Sequence, residues 1–196
     1  MCGLSGSPLF SAASAAIDAA NSADPGVVDV RGAGPRPLAQ VHGELAAEWV
    51  SVLSPDADDL VLLAARAHHL RRWEVPRAQY AAGRAGYLQW KRAQRWRHAE
   101  DLGALLTELG YEPNEVARAQ TMVVRQGDGG QLVEDAACLV FIETQLAAVA
   151  TQLDHDHLLD VIRKTAKKMS PAALAAVGQM PLGEVEQALL QEALSS

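Results

Sequence analysis

Four of the six histidines fall where a helical reading turns the side chain inward: His42, the pair His68-His69, and His98. Asp135 lies on a comparable stripe of a later segment. Imidazoles and a carboxylate pointing inward from four helices are how a bundle builds a metal site. Such nitrogen and oxygen donors suit one divalent transition ion, Zn, Mn, Fe or Ni, better than a soft metal. Glu134, beside Asp135, would then support a ligand or act as the base that activates a bound water. A single core histidine is more often a hydrogen-bonded structural residue, so the metal expectation needs all of them to meet. His155 and His157, in the run DHDH, are expected to be exposed caps.

Charge suggests what such a centre would act on. The stretch from Arg66 to Arg97 holds nine of the seventeen Lys and Arg residues and one acid, Glu74, in a chain of formal charge −7. It also holds three of the four Trp and two of the three Tyr. A net charge of −7 argues against non-specific binding of nucleic acid or membrane by the whole surface, but it permits a local basic groove. Arg71, Arg72, Arg77 and Arg84, with Tyr87 and Lys91, are the substrate-binding candidates, because an arginine fork meets phosphate or carboxylate bidentately. Tyr80, Tyr87, Trp73 and Trp90 could stack on a planar group, although helix packing is the plainer role for the two tryptophans. Lys164, Lys167 and Lys168 could extend the patch, or simply complement a helix C-terminus. The expected partner is an anionic small molecule such as a phosphate or nucleotide, with RNA a further candidate. The bland alternative is a solvated helix face paired with acids elsewhere.

The elements that must position these residues read as helices throughout. Ala and Leu dominate the apolar half of the composition and β-branched residues are sparse. Helical spacing predicts helices over 8–21, 38–53, about 56–71, 87–109, 114–126, 132–153, 156–169 and 181–194, with a short turn of helix over 171–177. Residues 22–37 read as a loop. The expected architecture is an all-α orthogonal bundle in one domain: an N-terminal helix and loop (1–37), a core (38–153) and C-terminal helices (154–196). Asp135 and Glu143 share an apolar stripe and so must have partners, since a buried unpaired carboxylate is costly. Cys2 and Cys138 are expected to be free thiols in a reducing cytoplasm. The opening MCGLSGS lacks the basic region of a secretory leader, and the apolar run 136–150 is too short to span a membrane. The segment from Val185 to Leu194 could cap the core or serve as a homodimer face.

The order VHGELAAEW, ARAHHLRRW, RHAEDLGALLTELGY, VEDAACLVFIE resembles the His and Asp order of the HD-domain phosphohydrolases. That resemblance implies an HD-like bundle and matches His42 to the first His, His98 to a later His, and Asp135 to the last Asp. Where those proteins have His-Asp, this chain has His68-His69, which leaves donors for one ion rather than a bridged pair. HHLRRWEVPR, GRAGYLQW, HAEDL, LVEDAACLVFIE and RKTAKKMS also resemble the signature segments of domain of unknown function 4202, over about 9–190. The functional expectation is a metal-dependent hydrolase acting on a phosphate ester or nucleotide-like anion. The alternatives are a non-catalytic protein that binds an anionic ligand (nucleotide or RNA), and an HD-like iron-dependent oxygenase.

Overall fold

Ser7 and Pro8 start the first helix for local reasons. The Ser7 hydroxyl accepts the Phe10 N–H at 3.1 Å, and Pro8 sits where a missing N–H costs nothing. The result is α1, Pro8–Asn21, as the periodicity predicts. These coordinates are a computed structural model that describes residues 7–195. Cys2 and the opening residues, read above as a terminus without a leader, lie outside the described residues.

The stretch expected to be a plain loop contains a small hairpin. β1 (Val27–Asp29) pairs antiparallel with β2 (Pro35–Pro37), Val28 opposite Arg36. Left-handed backbone at Arg31, Gly32 and Gly34 reverses the chain between them. The strands are three residues each, too short for alternation to show in the sequence. α2 follows at Leu38–Leu53, as expected.

α3 is shorter than its spacing suggests. Asp58 caps it by accepting the Val61 N–H, and it spans Asp59–Arg66 instead of running to about Arg71. After Arg66 the chain tightens into turns: the His68 N–H bonds to Ala65 O and the Leu70 N–H to Ala67 O. Arg71 is left-handed at φ 50°, its N–H held by the Asn21 side chain of α1 at 3.0 Å. His68 and His69 therefore lie on a turn, not on a helix. Two short 3₁₀ turns, Arg72–Glu74 and Arg77–Gln79, lead into α4, Gly83–Glu108. Gly110, at φ 89°, lies just past its end.

α5 (Pro113–Val123) opens with a reciprocal cap between Glu112 and Glu115. The long helix expected over 132–153 is two helices, α6 (Gly130–Thr144) and α7 (Leu146–Ala150), interrupted at Gln145. α8 (His155–Ala166), α9 (Pro171–Val177) and α10 (Glu184–Leu194) complete the chain. Asp154 caps α8, and His155 and His157 are exposed on its first turn.

The fold is almost wholly helical, and α6 is its spine. Val133, Ala136 and Val140 of α6 enter one apolar cluster with α1–α5; Cys138, Leu139, Ile142 and Leu146 enter a second with α8–α10. The two stripe acids have partners. Glu143 accepts from Arg31 and from the Trp49 indole, both at 2.8 Å, and Asp135 Oδ1 accepts from the Gln131 amide and the Ser170 N–H. Cys138 is buried and free. Among the described residues no helix is long and apolar enough to cross a membrane.

Candidate functional site

One face of α4 holds the histidine turn in place. Trp90, Gln94 and His98 recur every four residues, so they share a stripe that continues as Leu102 and Leu106 into the core. The Trp90 indole donates to Val75 O at 2.9 Å, and the Gln94 amide donates to Arg72 O and Val75 O, both at 2.9 Å. His98 Nδ1 donates to Leu70 O at 2.7 Å. The opposite side of the turn meets α2. At Gly43, beside His42, a Cβ would collide with the Arg66 carbonyl oxygen, so only glycine permits this approach.

The turn and the two helices gather four imidazoles. Ring centroids are 4.0 Å apart for His68 and His69, 5.4 Å for His42 and His69, 6.2 Å for His69 and His98, and 6.5 Å for His42 and His68. His42, His68 and His98 are buried, while His69 keeps a partly accessible edge. Burial, reinforced by the Arg72 charge, pulls His42 down to about 4 and His98 to about 3. His68 and His69 are also pushed well below the usual range, burial first, then Arg125 for His68 and the neighbouring His68 for His69. All four are neutral at pH 7.

Neutral imidazoles have tautomers, and the hydrogen bonds assign them. His68 Nδ1–H donates to Ala65 O at 2.8 Å and His98 Nδ1–H to Leu70 O, so each Nε2 is a bare acceptor; both are buried without a partner. The Thr144 hydroxyl donates to Val140 O, so its oxygen accepts from His42 Nε2 at 3.1 Å. His42 Nδ1 is then the acceptor for His69 Nδ1–H at 3.2 Å, and His69 Nε2 is bare as well. Gln94 Oε1 is a further buried acceptor without a donor. Its orientation is not in question, since its nitrogen serves two carbonyls.

Near these acceptors lies a cation that makes no ion pair among the described residues. Arg72 is half-buried, its guanidinium 4.5 Å over the Trp90 ring, and no carboxylate pairs with it among the described residues. Tyr87 is 6.0 Å from Trp90, and Lys91 Nζ is 5.5 Å from the Tyr87 ring, in no ion pair among the described residues though Glu134 is near enough to act on it. Burial lowers the Arg72 guanidinium, and burial together with Lys168 and Arg95 lowers the Lys91 ammonium.

The other sequence candidates are distributed as follows. Asp135 does not join the histidines: its oxygen is occupied by Gln131 and Ser170, and it lies nine residues, about 13 Å of helix, before Thr144, which touches His42. Glu134 lies among cations, bonded to Arg95 at 3.0 Å and Arg125 at 2.8 Å. Burial alone would raise its carboxyl, but Arg125, Arg95 and Lys168 outweigh that and hold it below the usual range. Arg77 staples its own loop, donating to Tyr80 O, Ala81 O and Gly83 O. Arg71 and Arg84 are exposed, and Arg71 contributes its backbone N–H to the turn. Gln94, Arg95 and Arg125 escaped the sequence reading. Gln94 is legible afterwards from its place one turn before His98, and Arg95 from its place one turn after Lys91.

Three neutral imidazoles with a bare Nε2, those of His68, His69 and His98, have the donor chemistry of a borderline metal site. The fit is incomplete, because no three His, Cys, Asp or Glu side chains among the described residues converge closely enough to hold an ion. What the arrangement provides directly is a set of hydrogen-bond acceptors near the Arg72 guanidinium, whose charge acts on His42, His69 and His98, with the Lys91 ammonium over Tyr87 beyond it.

A family model, Domain of unknown function (DUF4202), matches residues 11–190. No curated protein and no solved structure matches the chain.

Proposed function

The chain belongs to the DUF4202 family, a name that carries no activity, and on the site's own chemistry we propose that it binds a small phosphate-bearing molecule over the histidine turn. One observation carries this: Arg72 is half-buried, stacked on Trp90 and unpaired. A cation withdrawn from water without a counter-ion costs free energy that a bound anion would offset. Lys91 repeats the pattern, held over Tyr87. The test is calorimetric titration of inorganic phosphate into the protein and into Arg72→Ala. Saturable binding that the substitution weakens tenfold or more supports the reading; equal binding by both proteins overturns it.

The bare Nε2 atoms of His68, His69 and His98 favour a second reading, a metal-dependent hydrolase of the phosphate ester so bound, on an HD-like bundle. In this reading the Nε2 atoms of His68, His69 and His98 would hold one divalent transition ion, with His42 orienting His69 through the contact between their Nδ1 atoms. When bound, such an ion supplies Lewis acidity and an acidified water. The chain's own residues orient and bind: Arg72 and Lys91 hold the phosphate, while the Leu70 and Ala65 carbonyls fix two imidazoles in the ligating tautomer. Glu134, held ionised by its arginines, contributes charge rather than a proton shuttle. Elemental analysis of tag-free protein decides the point. Close to one equivalent of Zn, Mn, Fe or Ni, lost in His98→Ala, supports it; well under one equivalent that added metal does not restore leaves anion binding alone.

A further inference from the structure

The cations around Arg72 and Lys91 do not stop there. Arg95 stands one helical turn after Lys91 on α4, so the two share a face. Across from it, on α6, Glu134 takes Arg95 on Oε2 at 3.0 Å and Arg125 on the same oxygen at 2.8 Å, with Lys168 Nζ 3.9 Å from Oε1. Three cations thus share one carboxylate. Asp135, next in sequence, forms no ion pair with these cations among the described residues; its Oδ1 accepts from Gln131 and the Ser170 N–H. Arg125 is the buried member, its fork also donating to Val123 O at 3.1 Å, whereas Arg95 and Lys168 keep 38% and 44% of their side-chain surface in solvent. Inner arginine and carboxylate therefore form a fixed base, and the outer two cations remain available to a ligand.

Lys91 links this group to Arg72. Its ammonium lies over Tyr87, next to Trp90 and Arg72 on one side, and one turn before Arg95 on the other. Beyond burial, Lys168 and Arg95 are the neighbours that most depress it, which agrees with a shared positive field.

We propose that the ligand carries two adjacent phosphate groups, a diphosphate. One group is held between Arg72 and Lys91, the second between Lys91, Arg95 and Lys168. This rests on the anion-binding reading above and deepens it: a single phosphate would meet Arg72 and Lys91 and leave the excess charge around Glu134 unmatched. Fork donors at Arg72 and Arg95, with the ammonium groups of Lys91 and Lys168 between and beyond, suit several oxygens on neighbouring phosphorus atoms.

The experiment compares orthophosphate with pyrophosphate by calorimetric titration at fixed ionic strength, in the full chain and in Arg72→Ala, Lys168→Ala and Lys164→Ala. Lys164 pairs with Asp160 on exposed surface and lies outside the cluster, so it controls for net charge. Pyrophosphate binding at least tenfold more tightly than orthophosphate, with Lys168→Ala removing most of that gain, is the expected result. Equal affinities for the two anions, or an equal loss in Lys164→Ala, would overturn the diphosphate assignment while leaving the anion site in place. If neither anion binds, or Arg72→Ala affects neither, the underlying reading itself falls.

Discussion

His98 Nδ1 meets the carbonyl oxygen of Leu70 at 2.7 Å and so ties the middle of α4 to the turn that carries His68 and His69. The same bond leaves His98 Nε2 bare in the interior. Structure and chemistry are therefore joined at this residue. His98→Ala is expected to leave the Leu70 carbonyl unsatisfied and a small cavity behind, at a cost of about 2–3 kcal/mol. Urea denaturation would show a lower midpoint with an unchanged slope; an unchanged midpoint would mean the tie contributes nothing.

The four imidazoles make the fold acid-sensitive. Their folded values are depressed, so between the ordinary histidine range and the folded values the unfolded chain binds protons that the folded chain does not. Stability is then fully present above about pH 6.5 and is lost as pH falls below it. With His42 at about 4 and His98 at about 3, these two alone remove about 4 kcal/mol between pH 7 and pH 5. Native far-ultraviolet dichroism should weaken, and the urea midpoint fall, over that interval. A stability flat from pH 7 to 5 would contradict neutral burial.

Arg72 separates charge from geometry. Arg72→Lys keeps a cation but loses the planar fork and much of the stacking on Trp90, so phosphate affinity should fall by several-fold, and Arg72→Ala by tenfold or more, roughly 1.5–3 kcal/mol. Arg84→Ala, on the exposed first turn of α4, should leave affinity within about twofold. Equal effects from Arg72 and Arg84 would point to a diffuse surface field.

Glu134→Gln distinguishes a structural carboxylate from a catalytic one. Glu134 and Arg125 side chains are 13% and 11% exposed, so removing the acid leaves a buried arginine without its carboxylate partner, a loss on the order of 3 kcal/mol. The extra positive charge should also tighten phosphate binding. A variant of unchanged stability, with reduced turnover of a phosphate ester, would instead restore Glu134 as a base.

Gly43→Ala probes the approach of α2 to the turn. A methyl group there meets the Arg66 carbonyl, a backbone atom that cannot swing aside. The expected loss is about 1–3 kcal/mol, along with a changed environment at His42, readable as shifted imidazole proton resonances. Unshifted resonances would show that α2 and the turn are less closely coupled than the contact implies.

Local signals carried far in this chain because most of its elements are local objects. Ser7 before Pro8 and Ser170 before Pro171 each supply a cap, the run 38–53 supplies an amphipathic periodicity, and these three helices lie where the sequence places them. The inward orientation of His42 and His98 is legible too, since both lie on helices whose burial follows the stripe, whereas His68 is buried from a turn. What the residues could not reveal alone was the end of α3. Helical spacing continues past Arg66, but the turn is imposed by Asn21 from α1 and by His98, Gln94 and Trp90 from α4, none of them near in sequence. Nor could adjacency in sequence show that Asp135 turns to Ser170 while Glu134 turns to Arg95 and Arg125. Neighbours on a helix point about 100° apart, and which neighbour meets which partner is decided by how α4, α6 and α9 pack. Helix identities and the basic, histidine-rich character of the site thus come from the chain itself. The pairing of charges, and with it which cations remain free to hold a ligand, belongs to the tertiary structure, because opposite charges cancel only where folding brings them within reach.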